Sequence, residues 1–600
     1  MRKASRRRAP PGRRAPSAET EAPSRDPATA WRAATVALLI ALLVQLGARA
    51  NSEYRWSAWA FGDAQTMLSN RQWTEGGWLH NRLLFNPQGY AAAIEVVDEP
   101  ALRHHAHGTY TRGAHGIGPR RLYTHYPPGY LLPFATLHEM GFERMAAARL
   151  LAVAMSVAAL GVFYLAFSLA ASPAAAFGAV ALIALSSPFQ RYADSLANHA
   201  VDDLLRALFV YAVILSTRAV DEVRRRRAAV AAWGVALAMA LSSVDSTFFL
   251  WAFVVAWHAF EAPAPRLRHT ARVGVVYGLA PVLGHALLLL QNAWYLGLAG
   301  ALQDLADIAG LKSGAQSPSG AGRWSTWLDS IALSLDDLYG AWPVALLAAG
   351  RVALHLRARL GDARGDEPSG RAELGLLAAL LAGGVAFRFV LVHHAMTYEA
   401  RHYLPFAMLL ASTTAVALAA RDRRGPSHAP GIYTAAALCL LAWVGSRTYS
   451  PGAFSTAEPA RERAAVRLIV DRVRPMTTRY EPVIFARAAL PYHNASYHDG
   501  VPQVDPTLEY YARAPILCFE RNERLATDLR TMVARAPARF SPVLLFDTRA
   551  DLDETVRALG DLLARPPPEP AVLNRRLAVD LTDVIDPRRW RAPAPTRIAR

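Results

Sequence analysis

Residues 146–170 read AAARLLAVAMSVAALGVFYLAFSLA, an apolar run long enough to cross a lipid bilayer as a helix. Ten further apolar runs lie near residues 33–50, 174–190, 200–218, 228–244, 246–260, 273–294, 339–357, 373–392, 403–420 and 430–447. Together these runs predict about eleven transmembrane helices. The predicted fold class is therefore a polytopic α-helical membrane protein.

The composition of the 600 residues agrees with this prediction. Hydrophobic residues make up 53%, charged residues make up 19%, and the mean hydropathy is +0.13, which excludes a disordered or fibrous chain. The net charge of +17 is spread over short loops between apolar runs, which argues against a nucleic-acid-binding protein. The two cysteines, Cys439 and Cys518, are too few for a disulfide scaffold or a cysteine-based zinc site.

Basic clusters predict the orientation of the chain in the membrane. They occupy residues 222–227, 266–269, 355–359 and 421–424. The N-terminal tail (residues 1–31) is also basic. If this tail is cytoplasmic, all four clusters fall on the cytoplasmic side, as the positive-inside rule requires. We therefore expect a multi-pass protein of the cell (inner or plasma) membrane with a cytoplasmic N-terminus. The predicted parts are a disordered tail (1–31), a transmembrane domain (32–448) with outer loops at about 51–145 and 296–338, and an extracytoplasmic domain (449–600).

The C-terminal part has a different sequence pattern from the rest of the chain. Helical patterns alternate with the short apolar runs PVIFAR (482–487), PILCFE (515–520) and PVLLFD (542–547). Such alternation predicts a small α/β domain with parallel strand pairing. The first strand is not followed by a G-x-G-x-x-G pattern, and we interpret the domain as an accessory domain.

Asp63 is the first candidate for a chemical role. It lies in WAFGDAQTMLSNRQW (59–73), soon after the first predicted span, and Arg71 follows in the same stretch. An acidic residue at this position fits a helix N-cap and a catalytic acid about equally well. The sequence alone leaves both interpretations open.

The first outer loop ends in RRLYTHYPPGYLLPFATL (120–137). Pro127 and Pro128 predict a stiff, extended chain that turns at Gly129 into the next helix. Tyr126 and Tyr130 bring aromatic rings with polar tips to the depth of the membrane surface, and on their own they fit an interfacial tyrosine belt.

Acidic residues also enter an apolar span. Asp202 and Asp203 lie at the outer end of the run at 200–218, where ionisable groups are costly and usually face a cavity or a partner. Arg206 lies one helical turn further on, so a local ion pair is the alternative interpretation.

A second polar cluster follows the predicted span at 373–392. Arg388, Tyr398, Arg401 and Tyr403 are expected at the outer surface, where they could bind a lipid phosphate or contact headgroups. The Gly/Ser-rich stretch near 302–327 predicts a flexible flap that carries Trp324, and a tryptophan ring suits either a sugar or an interfacial anchor. His104, His105, His107 and His115 suggest a divalent metal, but their spacing matches no zinc module, so no metal site or cofactor is predicted.

Taken in order, these motifs resemble those of the GT-C membrane glycosyltransferases, and most closely the protein O-mannosyltransferase and aminoarabinose-to-lipid-A transferase group (glycosyltransferase family 39-like). The resemblance covers about residues 31–420. It rests on Asp63 after the first span, on Tyr126-Pro127-Pro128-Gly129, on the acid-bearing stretch at Asp202 and on Arg401-His402-Tyr403-Leu404-Pro405. Gly62-Asp63-Ala64 departs from the Asp-Glu pair common in that group.

The resemblance implies an integral-membrane enzyme with a polyprenyl-phosphate sugar donor and an extracytoplasmic acceptor. It implies Asp63 as general base, with Asp202 or Asp203 orienting Asp63 or the acceptor. Donor phosphate would be held by Arg401, Tyr403, Tyr398 and Arg388, and substrate would meet Tyr126, Tyr130, Arg71 and Trp324. Two other classes remain open, namely a transporter or flippase for a lipid-linked glycan and a non-catalytic envelope assembly protein.

Overall fold

The computed structural model describes residues 27–51, 60–85, 122, 124, 127–171, 173–185, 187–261 and 266–312. It also describes scattered positions between 372 and 386, residue 471, and short stretches between 481 and 585. The helices of the N-terminal half are α1 (Pro27–Ala50), α2 (Ala60–Gly76), the 3₁₀ turn η1 (Pro128–Leu131), α3 (Leu132–Glu139), α4 (Met145–Ala170), α5 (Pro173–Leu185), α6 (Ser187–Tyr192), α7 (His199–Arg218), α8 (Glu222–Ala240), α9 (Val244–Glu261) and α10 (Arg266–Lys312).

Several predicted spans coincide with these helices. Helices α1, α4, α7 and α9 occupy the runs predicted near 33–50, 146–170, 200–218 and 246–260, whereas the run at 174–190 forms two helices, α5 and α6. Within the described part of the chain, Ala28–Ala50, Met145–Ala170 and Leu267–Ala306 are long and apolar enough to cross a membrane. The chain thus has membrane-spanning helices, while eleven spans and their orientation stay predictions, because the runs beyond residue 338 fall almost wholly outside the described residues.

One predicted boundary falls within a helix. The sequence placed an outer loop from about residue 296, but α10 continues to Lys312 and is interrupted only at Gly297, whose φ is 74° and ψ is 162°. The stretch GLAGALQDLADIAGLK (297–312) is rich in Ala and Leu, which favour helix even where the chain stops being strongly apolar. The end of the apolar run is therefore not the end of the helix.

The membrane helices share one apolar core. Helix α7 packs between α4 and α8, and α10 packs along α8 and α9. At its centre, the ring of Phe209 lies edge-on to Phe253 and to Tyr277, with ring centroids 6.4 and 6.1 Å apart. A second cluster, which includes Met67, Trp73, Tyr130, Phe134 and Leu196, joins α2 to α3 and to the start of α7.

The C-terminal part contains a six-stranded mixed sheet. Its elements are β1 (Glu481–Arg487), β2 (Gln503–Val504), β3 (Ile516–Phe519), α11 (Asn522–Arg535), β4 (Phe540–Phe546), α12 (Arg549–Ala558), β5 (Ala571–Leu573) and β6 (Arg576–Asp580). The strand order is β2-β3-β1-β4-β6-β5. Strand β1 lies parallel to both β3 and β4, so the three predicted strands form and pair in the predicted direction. The other three strands pair antiparallel.

Candidate functional site

Asp63 is fully buried and bonds to a segment far away in the sequence. Helix α2 begins at Ala60, so Asp63 lies in the first turn of the helix. Its Oδ1 accepts a hydrogen bond from the backbone N–H of Leu196 (2.7 Å) and another from Oγ of Ser195 (3.1 Å). The carboxylate thereby joins α2 to the residues between α6 and α7, which we call the 193–198 turn.

The same turn carries a second buried carboxylate, Asp194. Its Oδ1 lies 2.5 Å from Nη2 of Arg49 at the end of α1, and its Oδ2 lies 3.2 Å from Nε of that residue. Arg149 of α4, which is also fully buried, donates to Oδ2 of Asp194 as well. Arg49 additionally donates to the carbonyl of Gln190 at 2.5 Å. Two guanidinium groups on one buried carboxylate leave a positive charge beside the turn that holds Asp63.

Sequence reasoning missed this second cluster. Arg149 is a single charge inside an apolar run, and Arg49 lies at the end of another. The available signal was the general rule that an isolated charge within or beside a membrane span has a partner. That rule flags Arg149, but it does not identify Asp194 as the partner.

Asp203 forms the local ion pair that the sequence offered as an alternative. Its Oδ1 lies 2.9 Å from Nη1 of Arg206 within α7. Arg206 also donates to Oγ of Ser246 on α9 at 3.0 Å, and its guanidinium lies over the Phe249 ring. The charges of Asp203 and Arg206 are therefore balanced inside the helix bundle.

Asp202 is connected to the 193–198 turn instead. Its Oδ2 accepts a hydrogen bond from Nδ2 of Asn198 at 3.0 Å and lies 3.4 Å from Oγ of Ser246. Because Leu196 and Asn198 belong to one short turn, the carboxylates of Asp63 and Asp202 both bond to residues of that turn, Asp63 through the Leu196 backbone N–H and Asp202 through the Asn198 side chain. Asp202 thus differs from Asp203 in its bond to the turn, while Ser246 links it to Arg206, the partner of Asp203.

Arg71 does not point to an open surface. Its guanidinium lies 4.8 Å from the centroid of the Tyr510 ring, and its Nη1 donates to the Tyr510 carbonyl at 3.3 Å. The hydroxyl of Tyr510 in turn donates to the carbonyl of Glu143 at 3.0 Å. In this structure Arg71 thus links α2 to the C-terminal part, and its contact with substrate stays a prediction.

Tyr130 lies in the protein interior. The side chain is only 7% exposed, and its ring packs 6.2 Å from that of Phe85, so it does not form part of an exposed tyrosine belt. A role for Tyr130 in substrate binding stays a prediction.

A strained turn at Arg82 and Leu83 contacts α10. Arg82 and Leu83 both have φ of 54°, a left-handed conformation that is unfavourable for residues other than glycine. Nε2 of Gln291 donates to both of their carbonyls, at 2.9 and 2.8 Å, and Nη1 of Arg82 donates to the carbonyl of Trp294. No pattern in the sequence predicts this contact.

The remaining predicted site residues lie outside the described residues, namely Tyr126, Trp324, Arg388, Tyr398, Arg401 and Tyr403, together with the histidines at 104–115. Within the described part of the chain, no group of three His, Cys, Asp or Glu side chains could hold a metal ion.

No protein-family model and no curated protein sequence matches this chain. Among solved structures, the chain is similar to ArnT from Cupriavidus metallidurans bound to undecaprenyl phosphate. The two are 13% identical with a TM-score of 0.42, over 92% of this chain and 98% of ArnT.

It is also similar to the oligosaccharyltransferase of Archaeoglobus fulgidus tethered to an acceptor peptide, with 14% identity and a TM-score of 0.40 over 86% of this chain and 69% of that one. A complex of that enzyme, AglB, with an inhibitory peptide and dolichol-phosphate gives 13% identity and a TM-score of 0.38 over the same shares. The resemblance to the GT-C membrane glycosyltransferases that the sequence motifs indicate stays a prediction.

Proposed function

We propose that this protein is an integral-membrane glycosyltransferase. It moves a sugar from a polyprenyl-phosphate donor to an extracytoplasmic acceptor, which is an envelope lipid, a glycan or a protein. The observation that carries the proposal is the fully buried Asp63 carboxylate, placed just after an apolar span and held by donors from the 193–198 turn. Burying an ionisable group beside a membrane span costs free energy, and the presence of such a group favours a functional site.

The chemistry requires a base and a stabilised leaving group. The acceptor hydroxyl attacks the anomeric carbon, the new C–O bond forms as the bond to the lipid phosphate breaks, and Asp63 takes the hydroxyl proton. The departing phosphate gains negative charge, which guanidinium and phenol donors stabilise by charge-assisted hydrogen bonds. We assign this second role to Arg401 and Tyr403, supported by Tyr398 and Arg388.

Asp202 is the better of the two acids in α7 for an orienting role. Asp203 is neutralised by Arg206, whereas Asp202 bonds to Asn198 in the turn that also holds Asp63. A change at Asp202 can therefore reach Asp63 through two or three residues of backbone. We propose that Asp202 orients Asp63 or the acceptor, and that Tyr126, Tyr130, Arg71 and Trp324 line the path of the substrates.

The first test is mass spectrometry of envelope lipids, glycans and glycoproteins from cells that lack the protein. We expect loss of one sugar from one acceptor and accumulation of the lipid-linked donor. The wild-type protein should restore the sugar, and Asp63→Asn should not. Glu75→Gln is the matched control, because Glu75 lies exposed on the same helix as Asp63.

A second test separates a transferase from a transporter. The purified protein is mixed in detergent micelles with donor and acceptor extracted from the deletion strain. A transferase still forms the glycosidic bond, because the reaction does not need two compartments. Absence of product in micelles, combined with donor movement across the bilayer of proteoliposomes, would instead establish the transporter interpretation.

A further inference from the structure

We infer that Ser195 is a positioning residue for Asp63: its hydroxyl, together with the backbone N–H of Leu196, holds the Asp63 carboxylate in a fixed direction and in its ionised form. The inference rests on the proposed role of Asp63 as general base. It adds a residue that no sequence motif indicated.

The hydrogen bonds around Ser195 define the direction of its proton. Oγ of Ser195 accepts a hydrogen bond from the backbone N–H of Ala197 at 3.3 Å. Its own proton is then available for Oδ1 of Asp63, 3.1 Å away. Ser195 and Asp63 are both fully buried, so water does not compete for this bond at the surface. The hydroxyl therefore acts as a donor to the carboxylate.

Both donors reach the same carboxylate oxygen. Leu196 N–H and Ser195 Oγ bond to Oδ1 of Asp63, and two donors on one oxygen fix the rotation of the carboxylate about its side-chain bond. The second oxygen, Oδ2, is thereby aimed in one direction. A base that must meet the proton of an acceptor hydroxyl gains from such an arrangement, because productive geometry is present before the substrate arrives.

The 193–198 turn cannot easily follow Asp63 if the carboxylate moves. The double ion pair of Asp194 attaches the turn to α1 and α4. Oγ of Ser156 on α4 donates to the carbonyl of Ala193 at 2.9 Å, and Oγ1 of Thr66 on α2 donates to the carbonyl of Leu196 at 3.0 Å. The donors to Asp63 are therefore mounted on a backbone that three helices hold in place.

Hydrogen bonds to a carboxylate favour its charged form, and a base is competent only when it is charged. Other ionisable groups on the elements around α2 and the turn are Arg71 and Glu75 of α2, His138 of α3, Glu143, Arg49, Arg149, Asp194, His199, Asp202, and, across the bundle, Asp203 with Arg206. Burial lowers the pKa of His138. A substitution of Ser195 leaves all of these groups in place, so a pH effect of that substitution reports on Asp63.

The test compares Ser195→Ala with Ser156→Ala. Both remove a buried hydroxyl that bonds at the 193–198 turn, but only Ser195 contacts Asp63. In the transfer assay, Ser195→Ala should lower kcat roughly tenfold with little change in acceptor KM, and should move the acidic limb of the kcat–pH profile up by about one pH unit. Ser156→Ala should leave the acidic limb at its wild-type pH. Ser195→Thr, which keeps the hydroxyl, should also show the limb at its wild-type pH. If the acidic limb of the kcat–pH profile of Ser195→Ala lies at the same pH as in the wild type, the inference is overturned.

A second measurement does not depend on transfer activity. The thermal unfolding temperature of each variant in detergent is compared with that of the wild type at about pH 7 and at about pH 3, below the ordinary pKa of an aspartate. Ser195→Ala should cost more at the higher pH, because the lost donor serves the charged carboxylate, whereas the cost of Ser156→Ala should not change with pH. Equal costs of Ser195→Ala at both pH values would overturn the inference. If Ser195→Ala does not fold, Ser195→Cys, with its weak thiol donor, serves instead.

The two measurements separate the inference from the proposed function. If the wild type forms no glycosidic bond, the proposed function fails, and the unfolding series still decides whether Ser195 stabilises the Asp63 carboxylate. If the wild type is active and Asp63→Asn is not, the proposed function stands whatever Ser195 does.

Discussion

The backbone N–H of Gly129 donates to the carbonyl of Leu241 at 2.8 Å, and a Cβ atom at Gly129 would lie 2.4 Å from that oxygen. The Pro127-Pro128-Gly129 segment thus lies directly against the end of α8. Pro127 is extended and the 3₁₀ turn begins at Pro128, so the predicted extended chain ends one residue before Gly129. The glycine allows the close approach that the contact requires. The glycine of the motif is explained here by packing against the end of α8.

Gly129→Ala should destabilise the protein. The added methyl group collides with backbone atoms, which cannot rotate away as a side chain can, so we expect a loss of about 1–3 kcal/mol. The measurement is thermal unfolding in detergent. Gly234→Ala, at a helical position with no atom within 4 Å of the added Cβ, is the control and should be neutral or slightly stabilising. Equal stability of the two variants would contradict the packing explanation.

Asp63→Asn should reduce transfer by roughly 10²-fold or more, because an amide cannot accept the acceptor proton. The fold should survive, since the amide oxygen can still accept the bonds from Ser195 and Leu196. Turnover and unfolding temperature are measured on the same preparation. Near-normal turnover in Asp63→Asn together with unfolding of Asp63→Ala would show that Asp63 has a structural role and is not the general base.

Arg71→Ala and Tyr510→Ala should have the same effect if Arg71 serves mainly to attach the C-terminal part. Each removes the cation–π contact between α2 and the segment at Tyr510. We expect faster proteolysis at the C-terminal side in both variants, and a smaller effect of Tyr510→Phe, which keeps the ring. A large rise in substrate KM confined to Arg71→Ala would show instead that Arg71 binds substrate.

Arg401→Lys should impair transfer although it keeps the charge, because a guanidinium grips two phosphate oxygens whereas an ammonium is a single point charge. Arg401→Ala should impair it more and raise the donor concentration needed for half-maximal rate. Donor dependence of the wild type and both variants is the measurement. If lysine substitutes freely, Arg401 serves as a headgroup anchor.

Reporter fusions test the orientation of the chain. A reporter active only outside the cytoplasm should be active after Arg600 and silent at Gly365, since the basic clusters place residue 365 inside. Reversed signals would put Asp63 on the cytoplasmic face and would end the argument for a polyprenyl-phosphate donor on the outer side.

The sequence predicts those features that depend on neighbouring residues. The strand PVIFAR and its two partners follow from short apolar runs between helical patterns, and the Asp203–Arg206 ion pair follows from a spacing of three residues on one helix. Asp63 can be recognised as a candidate from the sequence, because an ionisable residue beside an apolar span is costly and indicates a partner or a function.

The partners of these residues could not be predicted in the same way. Asp194 meets Arg149 across 45 positions and Arg49 across 145, and Ser195 meets Asp63 across 132. Nothing in local composition distinguishes Asp194 or Ser195 from other polar residues near a helix end. Their roles come from which helices pack together.

The contact between Arg71 and Tyr510 joins residues 439 positions apart in the chain. During synthesis, α2 therefore emerges from the ribosome long before its partner exists. The side of α2 that carries Arg71 stays uncovered until the segment at Tyr510 has been made. A chain that stops short of residue 510 keeps Asp63, Ser195 and the Asp194 ion pairs, yet it leaves the buried guanidinium of Arg71 without its aromatic cover. Synthesis of the segment around Tyr510 is thus itself a step in assembling this end of the molecule.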